Sequence, residues 1–118
     1  MSVPNTKTAL EARRQFEAGS INQGLLIELY RNYTDVGDTV RFVSKAKDIF
    51  PNGNCGLASL YLKKRLGGEI IQGKYGEHDH TFLVADKTVI DITADQFGGP
   101  KVYVGPLQPP WRLKEKAD

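Results

Sequence analysis

Asn52-Gly53-Asn54-Cys55-Gly56-Leu57-Ala58-Ser59-Leu60-Tyr61-Leu62-Lys63-Lys64-Arg65-Leu66-Gly67-Gly68 is the stretch from which the rest of the chain is read. It holds the single cysteine of the 118 residues. Asn54 stands where an N-cap is expected, and Leu57, Leu60, Tyr61 and Leu66 recur at helical spacing. Basic Lys63, Lys64 and Arg65 precede Gly67-Gly68, which is a helix stop. A thiol in the first turn of such a helix meets unpaired backbone N–H groups and the positive end of the dipole. Both favour thiolate, the nucleophilic form.

Upstream, Met1 to Lys7 reads as a frayed terminus and Thr8–Ala18 as a short helix stopped by Gly19-Ser20. Ser20 is expected to cap a second helix, Ile21–Tyr33, with Ile21, Leu25, Leu26, Leu29 and Tyr30 turned inward. After a Thr34–Asp38 loop, Thr39–Ile49 forms a third helix, with Val40, Val43, Ala46, Lys47 and Phe50 on its buried side. Pro51-Asn52-Gly53 then turns the chain into the cysteine helix. Downstream the period changes to two. Glu69–Gly73 reads as a strand, His80–Ala85 and Thr88–Thr93 as a hairpin around Asp86-Lys87, and Lys101–Val104 as a last strand. Helices followed by an antiparallel meander predict an α+β fold, with the N-terminal helices packed on a small antiparallel sheet. The length suits a single domain, 1–118: a helical part over 1–50, the cysteine helix and meander over 51–108, and a tail over 109–118 that begins Pro109-Pro110-Trp111.

Composition excludes several classes of function. One cysteine cannot build an internal disulfide framework. Cys55, His78 and His80 are the only soft ligands and lack metal-ligand spacing, so neither a metal nor a cofactor is expected. A net charge of +2 permits a nucleic-acid partner without arguing for one. No apolar run approaches the roughly 18–20 residues of a membrane span, and the N-terminus lacks the apolar core of a signal peptide. The expected location is the cytoplasm, or delivery by a route that uses no such signal, without a membrane partner.

The hairpin supplies what a reactive thiol needs. A two-residue turn at Asp86-Lys87 sets Ala85 opposite Thr88, Val84 opposite Val89 and Phe82 opposite Asp91. His80, Phe82, Val89, Asp91 and Thr93 then share one face, and His80 and Asp91 become diagonal neighbours with Cα atoms about 7–8 Å apart. A carboxylate so placed fixes the tautomer of an imidazole and frees its other nitrogen for a thiol proton. His78 has the same parity but lies one step further from Asp91, so His80 is the favoured base. Asp91, inside an apolar strand, demands a partner, because an unpaired buried carboxylate is costly. Asp95 is a loop carboxylate that competes for the acid role only if the register slips. Gln96 is read either as a donor in the site or as the cap of a turn.

Asn54-Cys55-Gly56 opening a helix, His80-Thr81-Phe82 on a strand and Val89-Ile90-Asp91-Ile92-Thr93 on the next resemble the Cys…His…Asp order of the papain-like superfamily. The likeness is to its compact transglutaminase-like and bacterial toxin-type members, and it covers about Asn52 to Gly105. The resemblance implies a papain-like core with nucleophile Cys55, base His80 and orienting acid Asp91. One departure stands out: no glutamine lies between Gln23 and Cys55 to donate to an oxyanion. Asn54, or Asn52, beside the Cys55 backbone N–H, is the candidate substitute. The expected function is cysteine-dependent acyl transfer (peptidase, deamidase or transglutaminase-like) on a protein or peptide substrate. An effector or toxin role would bring an inhibitor or immunity protein as partner. The alternatives are a toxin nuclease of the same fold acting on RNA, and a non-enzymatic binding module with Cys55 in its core.

Overall fold

The computed structural model describes residues 3–33 and 37–114. Among these, four helices precede a sheet: α1 (Val3–Ala18), α2 (Gln23–Tyr33), α3 (Thr39–Ile49) and α4 (Cys55–Leu66). The strands are β1 (Glu69–Tyr75), β2 (His78–Ala85), β3 (Thr88–Asp91), β4 (Tyr103–Pro106) and β5 (Trp111–Arg112), with a 3₁₀ turn at Ala94–Phe97. The class is α+β. Met1-Ser2, Thr34-Asp35-Val36 and residues 115–118, on which the expectations of a frayed start, a loop and a tail partly fall, lie outside the described residues.

Helix ends differ from the sequence reading for local reasons. α1 reaches back to Val3, because Pro4 falls in its first turn, where a missing N–H breaks no intrahelical bond. α2 starts at Gln23 with Asn22 before it: Asn22 Oδ1 accepts from the Leu25 N–H at 3.0 Å, while Ser20 Oγ donates to Gln15 O at 3.4 Å. Asp38 caps α3 by accepting from the Arg41 N–H at 3.0 Å. The buried stripe of α3 is Thr39, Val43 and Ala46; Val40 and Lys47, expected inside, are exposed because they lie beyond the edge of that stripe.

The sheet is antiparallel, in the order β4-β3-β2-β1-β5. Asp86 and Lys87 both take positive φ, 51° and 62°, the backbone of a primed two-residue turn. That turn pairs Ala85 with Thr88, Val84 with Val89 and Leu83 with Ile90, the register read from the sequence. The bounds of all four expected strands move: β1 runs on to Tyr75 in place of Gly73. β2 begins at His78, β3 ends at Asp91 where the chain leaves for the 3₁₀ turn, and β4 lies at Tyr103–Pro106 in place of Lys101–Val104. The segment read as a tail is corrected as well: Trp111 and Arg112 form β5, paired with Tyr75 and Lys74.

One face of the sheet, carrying Leu83, Ala85 and Ile90, packs on Ala9, Phe16, Leu57 and Leu62 of the helices. The other face carries Phe82, Val89 and Trp111 with Tyr75 and Tyr103. Tyr103 and Trp111 sit on opposite edge strands, yet their rings stack at 3.8 Å. A flat sheet of this width would hold its edges about 19 Å apart, so the sheet curls until its edges meet. Gly73 makes room for the closure: a Cβ there would stand 2.5 Å from Arg112 O and 3.0 Å from Phe82 Cε1. By strand parity His80 and Asp91 face into this curl with Phe82 and Val89.

Candidate active site

Cys55 is the first residue of α4 and is partly exposed. Asn54 occupies the N-cap position but makes no side-chain cap. Its Nδ2 instead donates to Ala46 O and to Asn52 O, both at 2.8 Å, and it is 1 % exposed. Ala46 O lies in the last turn of α3, where carbonyls need outside donors, and that demand overrides the capping preference. Both amide hydrogens of Asn54 are therefore engaged, which corrects the expectation that its side chain donates to an oxyanion. Asn52 is exposed. The first-turn N–H groups of α4 are left without a side-chain cap beside the thiol.

His80 and Asp91 meet as the register requires. His80 Nε2 lies 2.7 Å from Asp91 Oδ2, with both side chains buried. Trp111 Nε1–H donates to the same Oδ2 at 2.7 Å, and Asp91 Oδ1 accepts from the Thr93 N–H at 2.9 Å and the Thr93 hydroxyl at 3.4 Å. Asp91 thus takes donors on both carboxyl oxygens from His80, Trp111 and Thr93. Holding Nε2 as the N–H leaves Nδ1 of His80 as the free ring nitrogen, and it is buried with no hydrogen-bonded partner. The ring and the thiol are nevertheless electrically coupled. Burial alone would lower the His80 pKa, but the Asp91 hydrogen bond and the adjacent Cys55 outweigh it and push the value up to about 9. Burial pushes the Cys55 thiol up, and the His80 ring with the Thr81 backbone N–H and hydroxyl brings it below the ordinary value. The two shifts run in the directions that a thiolate–imidazolium pair would give. A loose sulfur–nitrogen contact is usual before substrate binds.

Neighbouring residues fix this geometry. Ser59 Oγ of α4 donates to Thr81 O of β2 at 3.3 Å, tying the helix to the strand next to His80. Phe97 stands edge-on to the His80 ring at 5.2 Å and stacks on exposed His78 at 4.6 Å, so His78 is a wall residue outside the relay. Gln96 accepts from the Gly53 N–H at 3.4 Å and donates to Thr93 O at 3.0 Å, bracing the loop before Cys55 against the turn after Asp91. Asp95 does not compete for His80; it receives Arg13 in a two-pronged pair at 2.7 and 2.8 Å. In the sequence Trp111 reads as part of a tail and Arg13 carries no role. Their partners are far along the chain, and only the indole N–H, a donor that must be satisfied once buried, was a signal for Trp111.

The family model described as YunG protein matches residues 32–114. The chain belongs to the YunG family. The matched span contains Cys55, His80, Asp91 and Trp111, and leaves α1 and most of α2 outside it. No curated protein and no solved structure matches the chain. The family's description names no activity, so function rests on the chemistry of the site. Among the described residues no helix is long and apolar enough to cross a membrane.

Proposed function

We propose that this YunG family chain is a cysteine-dependent acyl-transfer enzyme with Cys55 as nucleophile, His80 as general base and acid, and Asp91 as the group that orients His80. The observation that carries the reading is His80: Nε2 fixed on a buried carboxylate, Nδ1 buried without a partner, and the ring coupled to a thiol at a helix start. In the reaction the Cys55 sulfur attacks an amide carbonyl and the C–N bond breaks. The amine leaves with the proton carried by His80, and water or a second amine then resolves the thioester. Peptide hydrolysis, side-chain deamidation and transamidation differ only in which amide enters and which acceptor resolves the thioester.

Alkylation by iodoacetamide at pH 6 tests the nucleophile. Cys55 is expected to react at least tenfold faster than an unperturbed thiol, which is overwhelmingly protonated at that pH, and His80→Ala is expected to remove the advantage. Equal rates for the wild type and a free thiol reject the reading. The pH dependence has a definite sign. A raised His80 pKa keeps the proton on the ring through neutrality, so amide turnover falls as pH rises through about 9. The lowered Cys55 pKa sets the acid limb, where turnover falls as the sulfur is protonated.

A further inference from the structure

Tyr30 on α2 lies against the start of α4 and has no part in the relay described above. A Cβ on Gly56, the residue after Cys55, would stand 3.4 Å from Tyr30 Cε1, so the edge of the phenol ring borders the first turn of the cysteine helix. The ring is held from behind by Phe42, stacked at 4.6 Å with planes 13° apart, and by Tyr33 at 6.1 Å. Tyr33 spends its hydroxyl as acceptor for Gln72 Nε2 at 2.6 Å, whereas the Tyr30 hydroxyl makes no hydrogen bond to the described residues. The Tyr30 pKa is raised, first by burial and then by the charges of Tyr33 and Cys55, which puts the phenol within electrostatic reach of the sulfur. With Asn54 Nδ2 committed to Ala46 O and Asn52 O, the buried amide next to Cys55 is not available to the carbonyl oxygen of an acylating substrate.

From this juxtaposition we infer that Tyr30 is a further catalytic residue, whose hydroxyl donates to the oxyanion that forms when Cys55 attacks a carbonyl, together with the uncapped N–H groups of the first turn of α4. The inference rests on the acyl-transfer reading of Cys55. A phenol suits the task because it keeps its proton at neutral pH and donates without ionising. Position 56 lies close to the ring that carries the donor: a Cβ there would reach van der Waals contact with it.

Two reactions at the same sulfur separate the roles. With p-nitrophenyl acetate, the Sγ–C bond forms through a tetrahedral oxyanion and p-nitrophenolate leaves, giving an acetyl-thioester. With iodoacetamide, displacement of iodide at a saturated carbon makes no oxyanion. Tyr30→Phe, which keeps the stack on Phe42, is expected to slow acetylation by about 10²-fold and to change alkylation less than about threefold. Tyr33→Phe serves as the control with both rates retained. Acetylation unchanged in Tyr30→Phe overturns the proposal. A parallel fall in both rates also overturns it, because Tyr30 would then act on the thiol or on packing. If the wild type alkylates no faster than a free thiol, the failure lies with the acyl-transfer reading, and the Tyr30 proposal falls with it. Intact-protein mass, read on variants whose thermal midpoints match the wild type, follows both adducts.

Discussion

At the scale of single residues, Asp91 decides the site. Its Oδ2 holds His80 and Trp111 at once, and its Oδ1 holds Thr93. Losing one donor from this set weakens the orientation of the imidazole without emptying the core. Trp111→Phe retains a six-membered ring to stack on Tyr103 and removes the indole N–H together with the five-membered part of the ring. It is expected to lower stability by about 1–2 kcal/mol, read as a drop of roughly 3–8 °C in the thermal midpoint, and to slow iodoacetamide alkylation of Cys55 severalfold at pH 6. Unchanged alkylation would mean that His80 is positioned without the indole. The approach of His80 and Asp91 was legible in the sequence because Asp86-Lys87 fixes a register, and a register fixes which side chains share a face. Asn54 was legible in position and not in role: capping preference is local, whereas the pull of Ala46 O comes from another helix.

At the scale of elements, the sheet closes through its weakest-signalled strand. β5 is two residues long and follows Pro109-Pro110, a pair that reads as a breaker, so pattern alone could not show it. Its partner β1 carries the complementary clue in Gly73, which sits opposite His80 on one side and under Arg112 O on the other. Gly73→Ala is expected to push β5 from β1 and to cost about 1–3 kcal/mol through overpacking. Trp111 is the only tryptophan, so its fluorescence checks the outcome directly: a red shift marks its exit from the core, and an unshifted spectrum with a native midpoint contradicts the account. The strands with two-residue periodicity were found from the sequence. Their ends were not, because β3 stops where Asp91 takes up the Thr93 N–H and the chain turns away from the sheet.

At the scale of the whole molecule, the helical layer is pinned to the site by Arg13. Its Nη1 and Nη2 clasp Asp95 at 2.7 and 2.8 Å, and Nη1 also donates to Ile92 O at 2.9 Å, so α1 is fastened to both sides of the turn that follows Asp91. Arg13 is 6 % exposed and Asp95 partly exposed, so removing the guanidinium leaves a carboxylate that water reaches only in part. Arg13→Ala is expected to destabilise the fold by about 1.5–3 kcal/mol. Arg13→Met combined with Asp95→Leu should recover much of that loss, as measured by urea unfolding. A small effect of Arg13→Ala alone would show that α1 is held by its apolar stripe and not by the pair. The α+β class and the helix-then-sheet order were legible because each layer has its own period. The fastening between layers was not, since an arginine on a helix face reads as solvated until its distant carboxylate is placed beside it.

The meeting of Tyr103 and Trp111 across the two margins of the sheet has a further consequence for how the chain matures. A ribosome delivers residues from first to last, so thiol, ring and carboxylate all emerge before the indole that steadies the carboxylate. On the proposed acyl-transfer reading, a nascent chain holds an incomplete site until β5 pairs with β1 and brings the indole to Asp91.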